Sequence, residues 1–493
     1  MSQMNWSSVY PEIVLLVMAC IVAMVDLWVT DPRRAPTYWL TQASLAVVAA
    51  MQLGAFNAGD TVYAMQRMVV ADPMGHLLGF FATVAVMVSL VYARPYAGSR
   101  DILKGELFTL SLFSLLGICV MLSANNFLVV YLGLELMTLS LYALVAMRRD
   151  HADATEAAMK YFVLGALASG FLLYGLSMMY GATGSLDISE VFKAIGTGQI
   201  NKQVLILGEV FIVAGLAFKL GAVPFHMWVP DVYQGAPTAI TLLIGGAPKL
   251  AAFAITIRLL VEGMLGLAVD WQQMLVVLSF GSMLLGNVVA IAQSNLKRML
   301  AYSSIAQMGF MLLGLCSGVV YGNTVSAGNS YASSMFYIVT YVLTTLASFG
   351  IILLLAREGF ESEEIVDLAG LNQRSPLYAG VMAVAMFSLA GLPPLVGFYA
   401  KLAVLQALIA SGQAIYIGLA VFAVIMSLVG AFYYLRIVKV MYFDKPVTAS
   451  TVSASIDVRF VLTLNGALIL ILGIVPGGLM TLCAKAIVAT LTS

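Results

Sequence analysis

Charged residues are scarce in this sequence. Its 493 residues include 24 Lys and Arg and 24 Asp and Glu, which together make 10% of the chain. An ordinary soluble domain has about a quarter of its residues charged, so this chain cannot cover a water-exposed surface of that size. The shortage argues against a soluble enzyme, a nucleic-acid-binding protein and a disordered scaffold. With 61% hydrophobic residues, the composition indicates a protein that crosses a membrane many times.

Residue types that bind metals and nucleotides are also few and scattered. The cysteines and histidines lie far apart along the chain, at Cys20, Cys119, Cys316, Cys483, His76, His151 and His226. No CxxC pair occurs, which argues against zinc and iron–sulfur sites. Neither GxGxxG nor GxxxxGK[ST] occurs, which argues against nucleotide binding. We therefore expect no cofactor and no metal in this chain. The first basic residue is Arg33, so the first apolar run is predicted to be a retained span and not a signal peptide.

Apolar runs long enough to cross a bilayer divide the chain into about fourteen predicted spans. In order, these spans cover 11–29, 37–56, 72–93, 106–123, 126–147, 157–181, 203–229, 236–262, 272–293, 299–320, 331–356, 376–411, 413–442 and 460–489. The predicted fold class is an all-α polytopic membrane protein with no appended soluble domain.

The distribution of basic residues tests this count. If successive loops alternate between the two sides, the loops after odd-numbered spans, with the span ends next to them, hold 15 of the 24 Lys and Arg. The other loops and their adjoining span ends hold five, and four residues inside spans are assigned to neither side. Basic residues favour the cytoplasmic side, so both termini are predicted to face outward. A wrong number of spans would have scrambled this bias.

Four ionisable residues stand out inside predicted spans: Glu135 in span 5, Lys219 in span 7, Lys249 in span 8 and Lys401 in span 12. A charge at the bilayer centre costs about 2.5–3.5 kcal/mol on insertion scales and usually marks an ion pathway. Glu135 has the alternative of a neutral carboxyl bonded to a neighbouring helix. Lys219 has the alternative of reaching the interface if its helix ends at Pro224. We take all four as candidate functional residues.

Three further residues are weaker candidates. Lys160 lies near the start of span 6, where reaching the interface would explain it equally well. His226 follows Pro224 and could relay protons or be a hydrogen-bonded core histidine. Glu209, in the outer half of span 7, could pair with a neighbour or face the interface.

Prolines interrupt two spans that are five positions apart. Pro224 lies in span 7, Pro393 and Pro394 lie in span 12, and each span carries a lysine near its break. Interrupted spans in corresponding places suggest an internal repeat with its ion site at the discontinuities. We predict two inverted five-helix repeats, spans 4–8 (106–262) and 9–13 (263–442), flanked by N-terminal helices (1–105) and a C-terminal helix (443–493). The alternative is two unrelated proline kinks.

Polar residues form stripes along spans 10 and 11. They are Tyr302, Ser303, Ser304, Gln307, Tyr337, Tyr341, Thr344, Thr345 and Ser348. Such stripes can line a chain of water molecules or hold helices together by hydrogen bonds. By themselves they favour the second reading.

Three segments resemble a known family. FKLGAVPFHMWVPDVYQGAPT, LKRMLAYSSIAQMG and FSLAGLPPLVGFYAK are similar to motifs of the antiporter-like subunits of respiratory complex I, the proton-pumping NADH:quinone oxidoreductase. The resemblance covers nearly the whole chain. It implies a proton-translocating subunit of the bacterial inner membrane, with both termini on the periplasmic side. The implied partners are other membrane-arm subunits, namely the neighbouring antiporter-like subunit and small membrane subunits. FMN, iron–sulfur clusters and quinone would be held by partner subunits of the complex and not by this chain.

The resemblance also implies roles for the candidate residues. Glu135 and Lys219 match a functional pair. Lys249 matches a residue of the central hydrophilic axis, Lys401 matches the family's terminal lysine in the twelfth helix, and Lys160 matches a further lysine. His226 lies in the family's PFH segment. A subunit of a multisubunit sodium/proton antiporter, which shares the fold, is the alternative function. A subunit needed only for assembly is the third.

Overall fold

The computed structural model describes residues 4–320, 322–356, 360–446 and 452–492, and the described chain is almost entirely helical. In chain order the helices and strands are α1 (Tyr10–Asp26), α2 (Ala35–Ala58), β1 (Val62–Ala64), β2 (Val69–Ala71), α3 (Pro73–Gly98), α4 (Gly105–Leu122), α5 (Phe127–Val145), α6 (Ala152–Thr183), α7 (Ile188–Gly196), α8 (Lys202–Leu220), α9 (Trp228–Gly235), α10 (Thr238–Gly245), α11 (Ala247–Thr256), α12 (Ala268–Ile291), α13 (Leu296–Cys316), α14 (Ala327–Leu355), α15 (Leu371–Arg374), α16 (Pro376–Ala390), α17 (Val396–Ala410), α18 (Ala414–Phe443), α19 (Ile456–Ile474) and α20 (Gly477–Thr492).

Thirteen helical segments are long and apolar enough to cross a membrane, among the residues described. The predicted span 12 adds a fourteenth crossing, because it is built from the two shorter helices α16 and α17. The prediction of an all-α polytopic membrane protein is therefore confirmed. Loops alternate between two faces of the bundle. We call the face with Arg34, Arg100, Arg148 and Lys297 the basic face, and the other the opposite face.

The broken spans differ in part from their predicted bounds. Span 7, predicted over 203–229, ends as a helix at Leu220, because Gly221 adopts the left-handed conformation with φ of +77°. Span 12 breaks between Ala390 and Val396, around the predicted prolines. Span 8 was predicted as one helix, but it is interrupted at Gly246 between α10 and α11. The span itself is confirmed, because Thr238–Gly263 forms one candidate crossing. Only the break at Gly246 was not predicted, since a glycine interruption leaves the hydrophobic pattern intact.

The last span was also predicted as a single helix over 460–489, and that was wrong. It consists of α19 and α20, separated at Val475 and Pro476. Proline lacks the backbone N–H group that donates a hydrogen bond in a continuous helix. Thr490, in α20, donates to Asp72 at the start of α3 over 3.1 Å, so α19 and α20 together make one crossing that ends at the opposite face.

Corresponding connections in the two halves have the same local geometry. Asn126 caps α5 and forms an isolated antiparallel bridge with Asp187, and Asn295 caps α13 and bridges to Glu364 in the same way. Five crossings separate the two asparagines, so they lie at opposite faces. This recurrence favours the predicted inverted repeat.

The helix pairs α4–α5 and α12–α13 pack closely at glycines. A Cβ atom on Gly286 of α12 would lie 2.6 Å from the backbone nitrogen of Ala306 and 2.8 Å from the carbonyl oxygen of Tyr302, both in α13. Such contacts cannot be relieved by moving a side chain. Small residues at such interfaces let membrane helices approach.

We expect Gly286→Leu to destabilise the protein by about 1–3 kcal/mol or more, because the added side chain forces α12 and α13 apart. Thermal inactivation of the purified protein measures this. Gly418→Leu is the matched control, since a Cβ at Gly418 meets nothing within 4 Å. Equal stability of the two variants would show that the close α12–α13 contact is dispensable.

Candidate functional site

The carbonyl groups at the C-terminal end of α8, where span 7 breaks, accept hydrogen bonds from residues outside the helix. The Phe218 carbonyl accepts from the Gly221 amide over 3.0 Å and from Trp228 Nε1 over 2.9 Å. The next free carbonyl, that of Leu220, accepts from Lys249 Nζ over 2.6 Å. The last carbonyls of a helix carry partial negative charge, so this break offers a binding place for an ammonium group.

Lys249 occupies that place from α11. Its side chain is 1% exposed, and its ammonium lies 5.6 Å from the centre of the Trp228 ring. Because Leu220 directly follows Lys219, the hydrogen bond from Lys249 brings two of the predicted lysines to the same helix end.

Glu135 and Lys219 are near each other without direct contact. Lys219 Nζ donates to Ser169 Oγ of α6 over 3.3 Å. Glu135 acts on Lys219 through its charge, but the two do not form an ion pair within 4.0 Å among the described residues. Oε1 of Glu135 is buried and makes no hydrogen bond there. The two residues that the resemblance implies to be a pair are therefore not in direct contact in this structure.

Lys401 repeats the arrangement of Lys249 at the second broken span. Gly391, with φ of +85°, ends α16. Lys401 Nζ donates to the last carbonyls of α16, those of Leu389 over 2.9 Å and Ala390 over 3.1 Å. It also donates to Ser427 Oγ of α18 over 2.9 Å. In spans 7 and 12, the first helix therefore ends at a left-handed glycine. In each case a buried lysine donates to carbonyls at that helix end.

A network of polar side chains extends from Lys401 into the bundle. Gln307 Nε2 donates to the Leu389 carbonyl over 3.1 Å and to the Tyr434 hydroxyl over 3.0 Å. The Tyr337 hydroxyl donates to Gln307 Oε1, and Ser303 shares a hydrogen bond with Tyr434. Gln307, in the polar stripe of span 10, thus shares the Leu389 carbonyl with Lys401. The stripes therefore connect to the lysine site in addition to holding helices together.

A small cavity lies beside this network. Its lining includes Gln307, Tyr337, Tyr341, Ser388 and Leu389, and about 10 Å³ of it is open to a water-sized molecule. That is roughly the room one water needs, and the lining supplies the polar partners that such a water requires. The cavity can therefore hold one link of a proton-conducting chain.

Polar groups also lie between the two lysine sites. The side chains of Tyr233 and Tyr341 both approach Ser304 of α13. A Cβ on Gly245, next to the α10–α11 break, would lie 3.2 Å from the Tyr233 hydroxyl. Tyr233 and Ser304 have buried hydroxyl oxygens with no hydrogen bond among the described residues. These hydroxyls mark a polar route from the Lys249 side towards Gln307.

Lys160 lies apart from this interior, near the basic face. Its side chain is 42% exposed and pairs with Glu156 and Asp231, each over 2.8 Å. Arg298 pairs with Asp231 as well, over 2.8 Å. Burial alone would raise the pKa of Asp231, but hydrogen bonds from Lys160 and Arg298 outweigh it and hold that pKa below its usual range. Lys160 thus belongs to an ion cluster around a surface pocket.

His226 lies half-buried in the segment between α8 and α9. Its Nδ1 is buried and makes no hydrogen bond among the described residues. Within the same part of the chain, no hydrogen bond joins it to the lysines.

A buried ion network at the opposite face went unpredicted. Arg258 holds Asp72 through two hydrogen bonds of 2.9 and 2.6 Å, pairs with Glu262 over 2.6 Å and donates to the Leu122 carbonyl over 2.9 Å. From the sequence, Arg258 was counted among the five basic residues assigned to this side and not among the interior candidates. The Asp-Pro pair at the start of α3 and the four-residue spacing of Arg258 and Glu262 were the available signals.

Comparison with known proteins identifies the family of this chain. Residues 124–427 match the family model described as NADH:quinone oxidoreductase/Mrp antiporter, TM. The NADH-quinone oxidoreductase subunit N of Polaromonas naphthalenivorans is 68% identical over 488 residues, which is 98% of each chain. That of Herminiimonas arsenicoxydans is 62% identical over 497 residues and covers 100% of each. The chain belongs to the NADH-quinone oxidoreductase subunit N family.

Solved structures agree with membership of the subunit N family. A chain of respiratory complex I from Thermus thermophilus matches with a TM-score of 0.82 and 30% identity, covering 97% of this chain and 100% of that one. The Mrp complex from Dietzia sp. DQ12-45-1b matches with a TM-score of 0.85 at 19% identity, covering 99% of this chain and 97% of that one, which shows a shared fold alone. The predicted resemblance to antiporter-like subunits of complex I is confirmed. The chain is a membrane subunit of an oxidoreductase. Among the described residues, no group of three or more His, Cys, Asp or Glu could hold a metal.

Proposed function

We propose that this chain translocates protons within complex I, and that Lys219, Lys249 and Lys401 carry them. The observation that carries the proposal is the arrangement found twice, in which a buried lysine binds the freed carbonyls of a broken helix. The negative end of the helix favours the charged ammonium, while the dry surroundings disfavour it. A small movement of the helix end changes this balance, so each lysine can take up or release a proton as its helix moves.

Glu135 supplies the switch in this mechanism. When its carboxylate is close to Lys219, it favours the protonated lysine, and withdrawal of that charge favours release. A proton released near Lys219 has Lys249 as its neighbour, through the Leu220 carbonyl. From there the hydroxyls of Tyr233 and Ser304 lead towards Gln307 and Lys401. Lys160, in its ion cluster, and His226, beyond the α8 break, are proposed to exchange protons with the basic face.

The energy for this transport comes from partner subunits in our proposal. Moving one charge against 100 mV takes about 2.3 kcal/mol, and quinone reduction in those partners supplies it. FMN and iron–sulfur clusters belong to the same partners. The chain would sit in a bacterial inner membrane beside another antiporter-like subunit and small membrane subunits. The basic face would be cytoplasmic and both termini periplasmic.

Purification of the tagged chain in mild detergent tests the assignment to complex I. We expect bound FMN and NADH:quinone activity to co-purify with it in one large assembly. If the chain instead emerges with other membrane subunits, without flavin and with sodium-sensitive proton exchange, its partner complex is a sodium/proton antiporter.

Replacing Lys219 by alanine tests the transport role. We expect proton pumping driven by NADH in proteoliposomes to fall at least about tenfold, with coupled quinone reduction falling alongside, because a positioned proton carrier is lost. Lys193→Ala is the control, since Lys193 is exposed and pairs only with Glu190 among the described residues. Unchanged proton-to-electron stoichiometry and turnover in an assembled Lys219→Ala complex would contradict the proposal.

A further inference from the structure

Glu209 is an interior carboxyl group that the mechanism above does not use. It lies in α8, two turns from the end at Lys202, and is 0% exposed. Neither of its carboxylate oxygens has a hydrogen-bond partner among the described residues. In Glu12 and Glu135, by comparison, only one of the two carboxylate oxygens is buried without a partner. A buried side chain with two unsatisfied oxygens calls for a physical explanation.

In the part of the chain that the structure describes, no hydrogen-bond donor reaches the Glu209 carboxylate. The charged groups that act on it are Lys202 on its own helix and Asp270 at the start of α12. Those two pair with each other over 3.2 Å at the opposite face. On the α6 side, the neighbouring Gly208 packs against Gly175 and two methionines. Glu209 is thus buried next to a residue of the close α6–α8 contact, and the charged groups that act on it form an ion pair at the surface.

An ionised carboxylate in such surroundings is strongly disfavoured unless water or a counter-charge reaches it. A role in packing alone would be served better by leucine or methionine of similar size. The residue type therefore indicates that Glu209 holds a proton and exchanges it with water entering from the Lys202 side.

The position of Glu209 suits such an exchange. Lys219 lies ten residues further along the same helix, about 15 Å away along the axis. The α8–α12 interface has polar groups at both ends: Asp270 at the opposite face, and Ser282, whose hydroxyl accepts from the Val223 amide over 2.9 Å, at the α8 break. Glu209 stands between the surface and that break.

We propose that Glu209 is a proton-carrying residue that connects the Lys219–Lys249 site with the opposite face of the membrane, along the interface of α8 and α12. This inference rests on the proposed proton transport. It adds a defined entry or exit point that lies on the other side of the lysines from Lys160.

Glu209→Gln in the reconstituted complex tests the inference. Glutamine has nearly the same shape and cannot carry the proton, so we expect NADH-driven proton pumping to fall about tenfold. Glu209→Asp, which keeps the carboxyl on a shorter side chain, should retain part of the pumping. Glu190→Gln is the matched control, because Glu190 lies exposed on α7 and pairs with Lys193.

A second measurement separates a proton-carrying role from a structural one. A hydrophobic carbodiimide reacts with protonated carboxyl groups in apolar surroundings and leaves an adduct that peptide mass spectrometry can locate. We expect Glu209 of the wild-type complex to be labelled, with less label as the pH rises. A buried group that never exchanges its proton with water would show no such dependence.

The outcomes are distinguishable. Normal pumping by Glu209→Gln together with impaired pumping by Lys219→Ala would overturn the role of Glu209 and leave the proposed transport standing. Normal pumping by both would overturn both. If Glu209→Gln does not assemble, the carbodiimide decides: pH-dependent label at Glu209 supports the inference, and its absence at every pH overturns it.

Discussion

Lys401→Ala is expected to slow proton transfer through this subunit by about 100-fold. Lys401 is alone at its helix end, whereas Lys219 has Lys249 beside it, so no neighbouring ammonium can take its place. The substitution also removes the Lys401 hydrogen bonds to the carbonyls of Leu389 and Ala390, at about 0.5–1.5 kcal/mol for each bond, while Gln307 and Ser427 still donate to these carbonyls. Proton pumping in proteoliposomes and thermal inactivation of the purified complex measure the two effects.

Lys401→Arg separates the two effects. Arginine keeps a positive charge and several donors for the α16 carbonyls, but it does not release its proton at physiological pH. We expect the arginine variant to assemble and resist heat nearly as well as the wild type, and to pump as poorly as the alanine variant. An arginine variant that pumps normally would show that Lys401 closes the helix end without carrying protons.

Arg258→Ala is expected to destabilise the subunit by about 3–5 kcal/mol. Arg258 and Asp72 are buried, with side-chain exposures of 1% and 0%, and removal of one partner leaves an uncompensated charge in the interior. Glu262 and the Leu122 carbonyl lose a donor at the same time. The expected result is poor accumulation in the membrane and a lower temperature of unfolding for whatever subunit is recovered.

Arg67→Ala provides the comparison for this effect. Arg67 pairs with Asp187 over 3.2 Å on the same face, but its side chain is 47% exposed, and exposed pairs contribute about 0–1 kcal/mol. Similar unfolding temperatures for the two variants would show that the buried network at Asp72 is not a source of stability.

The candidate site residues could be chosen from the sequence because charge is so rare in this chain. Lys249 and Lys401 stand out in apolar runs, and Pro224, Pro393 and Pro394 indicate broken helices. Their binding partners were not predictable, since the carbonyls of Leu220 and Leu389 leave no trace in the side-chain sequence. Only the folded backbone shows that both lysines close a helix end.

The errors in the fold have equally definite causes. The run over 460–489 has the length of one span, so the break at Pro476 was overlooked. The interruption at Gly246 left the hydrophobic pattern of span 8 unchanged. α7 is nine residues long, too short to register as a span. The bond between Asp72 and Arg258 joins residues 186 positions apart, a separation over which local sequence patterns carry no information.

The contacts of Asp72 also constrain the order in which the protein is made. Its partners Arg258 and Thr490 follow it by 186 and 418 residues, so a growing chain inserts α3 long before either has left the ribosome. Until then the Asp72 carboxylate has to remain at the water-facing end of α3, because a lone charge inside the bilayer is costly. The cluster that begins with Asp72 of α3 is therefore completed only when α20 supplies the Thr490 hydroxyl.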